Sequence, residues 1–127
     1  HRTLVRAEIA ARDGVEVQTA GDGFLARFDS PGRALECARA VRDGVRRFDL
    51  EIRAGVHTGE CELRGRDVIG MAVHVAARIE ATAAGGEVLV SGIVKDLVGG
   101  SGMQFEERGT HGLKGIQGEW RLYALVG

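Results

Sequence analysis

The sequence is short of the residues that mark most specialised classes of protein. It has one proline against 20 glycines. That excludes a proline-rich linker and points instead to tight turns within a compact domain. Its two cysteines, Cys37 and Cys61, show no metal-ligand spacing, and Cys37 falls in a helical pattern, so both read as reduced thiols of a cytosolic protein. Net charge is only −1, so nothing draws the whole chain toward nucleic acid or an anionic membrane. No apolar run approaches the ~18 residues of a membrane span. Charges run through residues 1–12, so no signal peptide is expected at the start. What remains, at 127 residues with 44% hydrophobic and 28% charged, is one ordinary domain with a single core.

Hydrophobic spacing gives the order of elements. Residues 2–11 (RTLVRAEIAA) read as the end of a helix. Leu4, Ala7 and Ala11 lie on one side, Thr3 is the available cap, and Asp13-Gly14 closes it. Residues 15–19 (VEVQT) alternate as a half-buried strand, and 24–28 (FLARF) resume as a second. Gly21-Asp22-Gly23 between them predicts a hairpin. Residues 31–48 form the clearest helix: Ser30 can cap it, Pro31 takes its first position, and Ala34, Ala38, Val41, Val45 and Phe48 recur every three or four residues. Ile52, Ala54 and Val56 alternate in a strand ended by His57-Thr58-Gly59. A second helix follows at 69–83, a buried strand at 87–91, a brief helix at 92–98, and two strands around the glycine-rich turn 112–118. Helices covering one side of a mostly antiparallel sheet are the expected arrangement, an α+β fold of the ferredoxin-like or palm-like kind.

One constellation stands out. Asp67, His74 and Arg78 are spaced by seven and four residues. At roughly 100° per residue these offsets fall within about 40° of one another, while Met71, Ala72, Val75, Ala76 and Ile79 centre roughly 110° away. His74 and Arg78 therefore share one edge of the helix, facing solvent, a neighbour or a cleft. If the helix begins only near Ile69, Asp67 sits just off its N-terminus and the geometry is looser. Asp22 at a hairpin tip is ordinary turn chemistry, yet a carboxylate there can also hold Mg²⁺ together with a second one nearby. Lys114, between glycines in a turn, is either solvated or a mobile point charge for phosphate. Trp120 and Tyr123 read as covers of the core.

Taken together, GDGFLARF, RAGVHTGE, DVIGMAVHVAARIEA, GEVLVSG and GTHGLKGIQGEWRLYAL resemble the class III nucleotidyl cyclase catalytic domain, in order and over nearly the whole chain. The sequence looks most like the bacterial group that stands alone or precedes larger regulatory proteins. The resemblance implies a ferredoxin-like, palm-like sheet flanked by helices. It also implies a head-to-tail homodimer with the active site between subunits, and two Mg²⁺ or Mn²⁺ ions per complete site. One ion would activate the ribose 3′-hydroxyl for in-line attack on the α-phosphorus, and the other would steady the leaving pyrophosphate.

Residue by residue the resemblance carries over unevenly. Asp22 matches the second metal aspartate. The first belongs to a strand before the first helix, and this chain begins inside that helix, so 1–127 is read as a catalytic domain lacking its first strand, weak or inactive as a fragment. Arg78 matches the transition-state arginine, Lys114 the triphosphate lysine, and Asp67 the acceptor for the adenine amino group. Gln18 stands where the family has a base-selecting lysine, and its amide can address adenine or guanine. His74 stands where most members have asparagine, and imidazole can still donate to ribose or phosphate.

The implied activity is conversion of ATP to 3′,5′-cyclic AMP and pyrophosphate in the cytoplasm. The alternative is a non-catalytic cyclase homology domain for dimerisation or nucleotide sensing. Gln18 and the missing strand favour that alternative, while the retained Asp22, Asp67, Arg78 and Lys114 oppose it. An RNA-binding sheet, faintly suggested by GFLARF, fails: Ala26 sits where an aromatic should stack, and no basic stripe accompanies it.

Overall fold

A computed structural model of the chain describes residues 1–17, 23–65 and 67–127. Along it run α1 (Arg2–Ala11), β1 (Val15–Val17), β2 (Leu25–Arg27), α2 (Pro31–Val45), β3 (Ala54–Val56), β4 (Glu62–Arg64), β5 (Asp67–Ile69), α3 (Met71–Thr82), β6 (Val88–Ser91), α4 (Gly92–Leu97), β7 (Gln104–Gly112) and β8 (Glu119–Val126). Four strands make the main sheet in the order β3-β6-β8-β7. β3 and β6 are parallel and the other two pairings antiparallel. β1–β2 and β4–β5 are separate antiparallel hairpins. The mostly antiparallel α+β fold expected from the sequence is the fold observed.

The helices, however, cover both faces of the sheet, not one. On the first face Leu35 of α2 and Val94 of α4 pack with Val56, Val88, Val90 and Leu125. On the other, Val75 and Ile79 of α3 pack with Leu89, Leu113, Leu122 and Ala124. Alternation along β6 and β8 sends successive side chains to opposite layers, which is why both strands read as nearly continuous apolar runs. α1 lies beside α2, where Ile9 packs with Cys37, Val41 and Val45 and against Phe24, Ala26 and Phe28 of the first hairpin.

Local chemistry explains the boundaries. Ser30 adopts extended backbone, and its hydroxyl accepts from the Arg33 N–H at 3.2 Å, with Pro31 as the first helical residue. α2 stops at Val45 and tightens into a 3₁₀ turn, Arg46–Phe48, ended by Asp49 at φ +57°. The tighter winding rotates Phe48 off the apolar stripe, and it is 53% exposed where the period placed it inside. In α1 the buried side is Ile9 with Leu4 and Val5 packed against its cluster. Ala7 and Ala11 are exposed, and Thr3 lies inside the helix without capping it.

The sequence reading missed the β4–β5 hairpin, which joins across Gly65 at φ +61°. It also began α3 two residues early, because Ile69 belongs to β5. Gly70 at φ +149°, a conformation that disfavours any side chain, makes the corner from β5 into α3. Met71, expected in the apolar stripe, is exposed in this first turn.

β3 meets α3 backbone to backbone. A Cβ on Gly55 would lie 2.5 Å from the Glu80 amide nitrogen and 2.6 Å from the Ala76 carbonyl oxygen. Gly55→Ala should therefore force strand and helix apart and destabilise the domain by about 1–3 kcal/mol, read as a lower urea midpoint. An unchanged midpoint would refute this close approach.

Candidate functional site

His74 and Arg78 lie on the exposed edge of α3, opposite the buried Val75 and Ile79. Neither side chain makes a hydrogen bond or ion pair among the described residues, so both are available to a ligand. Asp67 is not on this helix. It lies on β5, paired with Arg64, and Gly70 intervenes before α3, so the looser of the two sequence geometries applies. Its carboxylate is exposed.

Lys114 projects from the β7–β8 turn, and that turn is built firmly. Leu113 is buried at 4%, the Ile116 N–H donates to the Leu113 carbonyl at 2.9 Å, and the Trp120 indole N–H donates to the Gln117 carbonyl at 3.2 Å. Leu113 shares its cluster with Val75 and Ile79, and Ile116 and Trp120 pack against it. The lysine turn and α3 are thus fixed on the same face of the sheet by one apolar contact set. As expected, Trp120 covers this core, and Tyr123 packs against the opposite one. Gln18 and Asp22, the remaining proposed site residues, lie outside the described residues. The hairpin strands that lead to them, β1 and β2, pair Val15 with Arg27 and Val17 with Leu25.

Between that hairpin, the start of α2 and α3 lies a cavity of about 160 Å³, lined among others by Arg27, Ser30, His57, Thr58, Cys61 and Ala72. Two of these residues were passed over in the sequence. Arg27 has its Nε buried with no hydrogen-bond partner among the described residues. His57 ties the end of the sheet together: its Nδ1 shares a hydrogen bond with Ser91 Oγ at 2.8 Å, and its ring meets Trp120 edge-on at 5.5 Å. Ser91 also caps α4 by accepting from the Val94 N–H. The ring therefore joins β3, β6, α4 and β8 next to the cavity. A histidine directly after an alternating strand was the available signal, but its partners are all distant in sequence.

Among the described residues no group of three or more histidine, cysteine or carboxylate side chains is placed to hold a metal ion. The donor set the sequence suggests runs through Asp22.

This arrangement defines a sheet covered by helices on both faces, with Arg78 on an exposed helix edge, a lysine turn on the same face and Asp67 on the short hairpin that leads into that helix. Comparison gives the class a family. All of residues 1–127 match the family described as adenylate and guanylate cyclase catalytic domain, and the chain belongs to it. A putative adenylate cyclase 3 of Rhizobium meliloti is 32% identical over 118 residues, covering 86% of this chain and 20% of the relative. An adenylate cyclase of Mycosarcoma maydis is 32% identical over 151 residues, covering 94% of this chain and 6% of the relative. The chain thus spans only a fifth or less of these curated relatives. The crystal structure of an adenylate/guanylate cyclase/hydrolase from Silicibacter pomeroyi superposes with TM-score 0.92 at 32% identity, covering 99% of this chain and 78% of that one.

Burial holds the His57 pKa below its ordinary value of 6.5. The fold therefore favours the neutral ring. Its contribution is complete above about 6.5 and is lost as pH falls through the lowered folded value. Thermal melts between pH 8 and 5 should show this acid-side decline, and His57→Gln should flatten it. Equal pH dependence in both proteins would remove the assigned role.

Proposed function

We propose that this domain is the catalytic part of a cytoplasmic adenylate cyclase, acting as a head-to-tail homodimer. The observation that carries the reading is the shared packing of Val75 and Ile79 with Leu113, which fixes the Arg78 edge and the Lys114 turn on one face. The relatives named adenylate cyclase support the choice of ATP.

The reaction is an internal displacement. The ribose 3′-oxygen forms a bond to the α-phosphorus and loses its proton. The bond from the α-phosphorus to the bridging oxygen breaks, and pyrophosphate leaves with that electron pair. Negative charge accumulates on the phosphoryl oxygens. Arg78 is assigned to that charge and Lys114 to the triphosphate, since preorganised cations act most strongly where charge develops. His74, one turn from Arg78, donates to ribose or phosphate. Asp67 accepts from the adenine amino group, and Gln18 completes the purine contact with an uncharged amide. Asp22 would hold Mg²⁺ or Mn²⁺, which when bound polarises the phosphates and lowers the pKa of the attacking hydroxyl.

Gln18 specifically favours a second reading, a domain that binds nucleotide or its own kind without turnover. The two are separated by assaying the full-length protein that carries this domain with ATP and GTP under Mn²⁺ and Mg²⁺. Cyclic AMP formation that Asp22→Ala abolishes is the expected result. Arg78→Ala should lower kcat by roughly 10²–10³-fold, as loss of a transition-state donor does. Lys114→Ala should act on KM as well, because the triphosphate is held in the ground state too. No product from either nucleotide, with the protein folded and dimeric, would establish the non-catalytic reading. Cyclic GMP alone would reassign the purine.

A further inference from the structure

We propose that a second site, for a small oxyanion carrying a phosphate or carboxylate group, lies at the end of the sheet away from the lysine turn. A cleft of about 380 Å³ opens there, lined among others by Arg42, Arg46, Gly85, Gly86, Glu87 and Arg108. β8 runs from the lysine turn to this cleft, a length of roughly 23 Å at ~3.3 Å per residue, so the two sites are separate. Three arginines face one carboxylate side chain in the described lining.

The decisive group is Arg42. Its side chain is only 4% exposed, so the guanidinium has been stripped of most of its water. Nε donates to the neighbouring Asp43 carboxylate at 3.0 Å, but Nη2 is buried with no hydrogen-bond partner among the described residues. A desolvated, incompletely bonded guanidinium is costly, and it offers the planar donor geometry that phosphate and carboxylate fit. The other cations are committed: Arg46 reaches the same Asp43 oxygen at 3.4 Å, and Arg108 holds Glu87 at 2.8 Å and Glu106 at 2.9 Å.

Glu87 shows the chemistry the cleft accepts. Its two oxygens take the Ala84 N–H at 3.0 Å and Arg108 Nε at 2.8 Å. Burial opposes its charge, yet these donors outweigh burial and hold its pKa below the ordinary carboxylate value. The cleft wall thus already stabilises one oxyanion. The unpaired Arg42 Nη2 lies closed beneath its surface, and Asp43, Glu106 and Glu51 sit against the lining, so a second oxyanion would pair with Arg42 only as the guanidinium turns outward.

The test is a thermal-shift and calorimetric titration of the protein with inorganic phosphate, with chloride adjusted to constant ionic strength. A saturable rise in Tm is expected. Arg42→Met, close in volume and uncharged, should abolish it. Arg108→Gln, at an exposed position, should weaken binding several-fold. Lys114→Ala should leave the response intact, which separates this cleft from the nucleotide site. A matching response to succinate, also lost in Arg42→Met, supports the site and assigns it to carboxylates. No response beyond chloride, or a response undiminished in both Arg42→Met and Arg108→Gln, would overturn the proposal.

Discussion

The backbone approach of β3 to α3 at Gly55 is the constraint on which the rest of the candidate site depends. Without a side chain at that position, the helix settles directly on the strand. Val75 and Ile79 then reach the same apolar layer as Leu89, Leu122 and Leu113. Every exposed group on α3 inherits its position from that contact. So does Lys114, because Leu113 is its immediate neighbour and is held in the same layer. The chemistry assigned to Arg78 and Lys114 needs two cations fixed relative to each other, and the apolar layer beneath them is what fixes them.

The opposite layer serves a different purpose. α2 begins just after its cap Ser30, beside the cavity next to the first hairpin, and ends near Arg42 and Arg46 in the distant cleft. One rigid helix therefore spans from the hairpin side of the domain to the proposed oxyanion site. His57 performs a comparable tie within the sheet, joining β3 to Ser91 and Trp120 where the strands turn toward the site. Both are polar groups placed at the margin of an apolar core. Each is worth most when fully bonded, which is why the orphaned Nη2 of Arg42 carries more information than any surface charge.

Much of this was legible because it is local. Ser30-Pro31 announced α2 through cap chemistry, and the short apolar run of Val88, Leu89 and Val90 between turns announced a buried strand. The i, i+4 pairing of His74 and Arg78 on one helix edge was likewise visible and holds. What escaped is non-local. Glu62, Leu63 and Arg64 are all exposed, so β4 carries no inside–outside alternation, and only its pairing with β5 makes it a strand. That same pairing removes Asp67 from α3. Periodicity gives each helix an apolar stripe but does not say which face of the sheet it meets, so the two-sided covering by α2 and α3 was misjudged. The neighbourhood of Lys114 and α3, and the His57–Ser91–Trp120 tie, depend on partners dozens of residues apart. The motifs shared with nucleotidyl cyclases were readable throughout, since each is a contiguous stretch of sequence.

In the proposed head-to-tail dimer, one subunit would supply Asp22 and its partner Arg78 and Lys114. Mixing two full-length variants, Asp22→Ala and Arg78→Ala, tests it most directly. Each should be nearly inactive alone. In a mixed dimer one of the two sites would regain both residues, so activity should reappear on mixing and approach about a quarter of the wild-type level when subunits exchange freely. If the mixture stays as inactive as its components while subunit exchange is verified, the two residues do not meet across an interface, and the account is wrong.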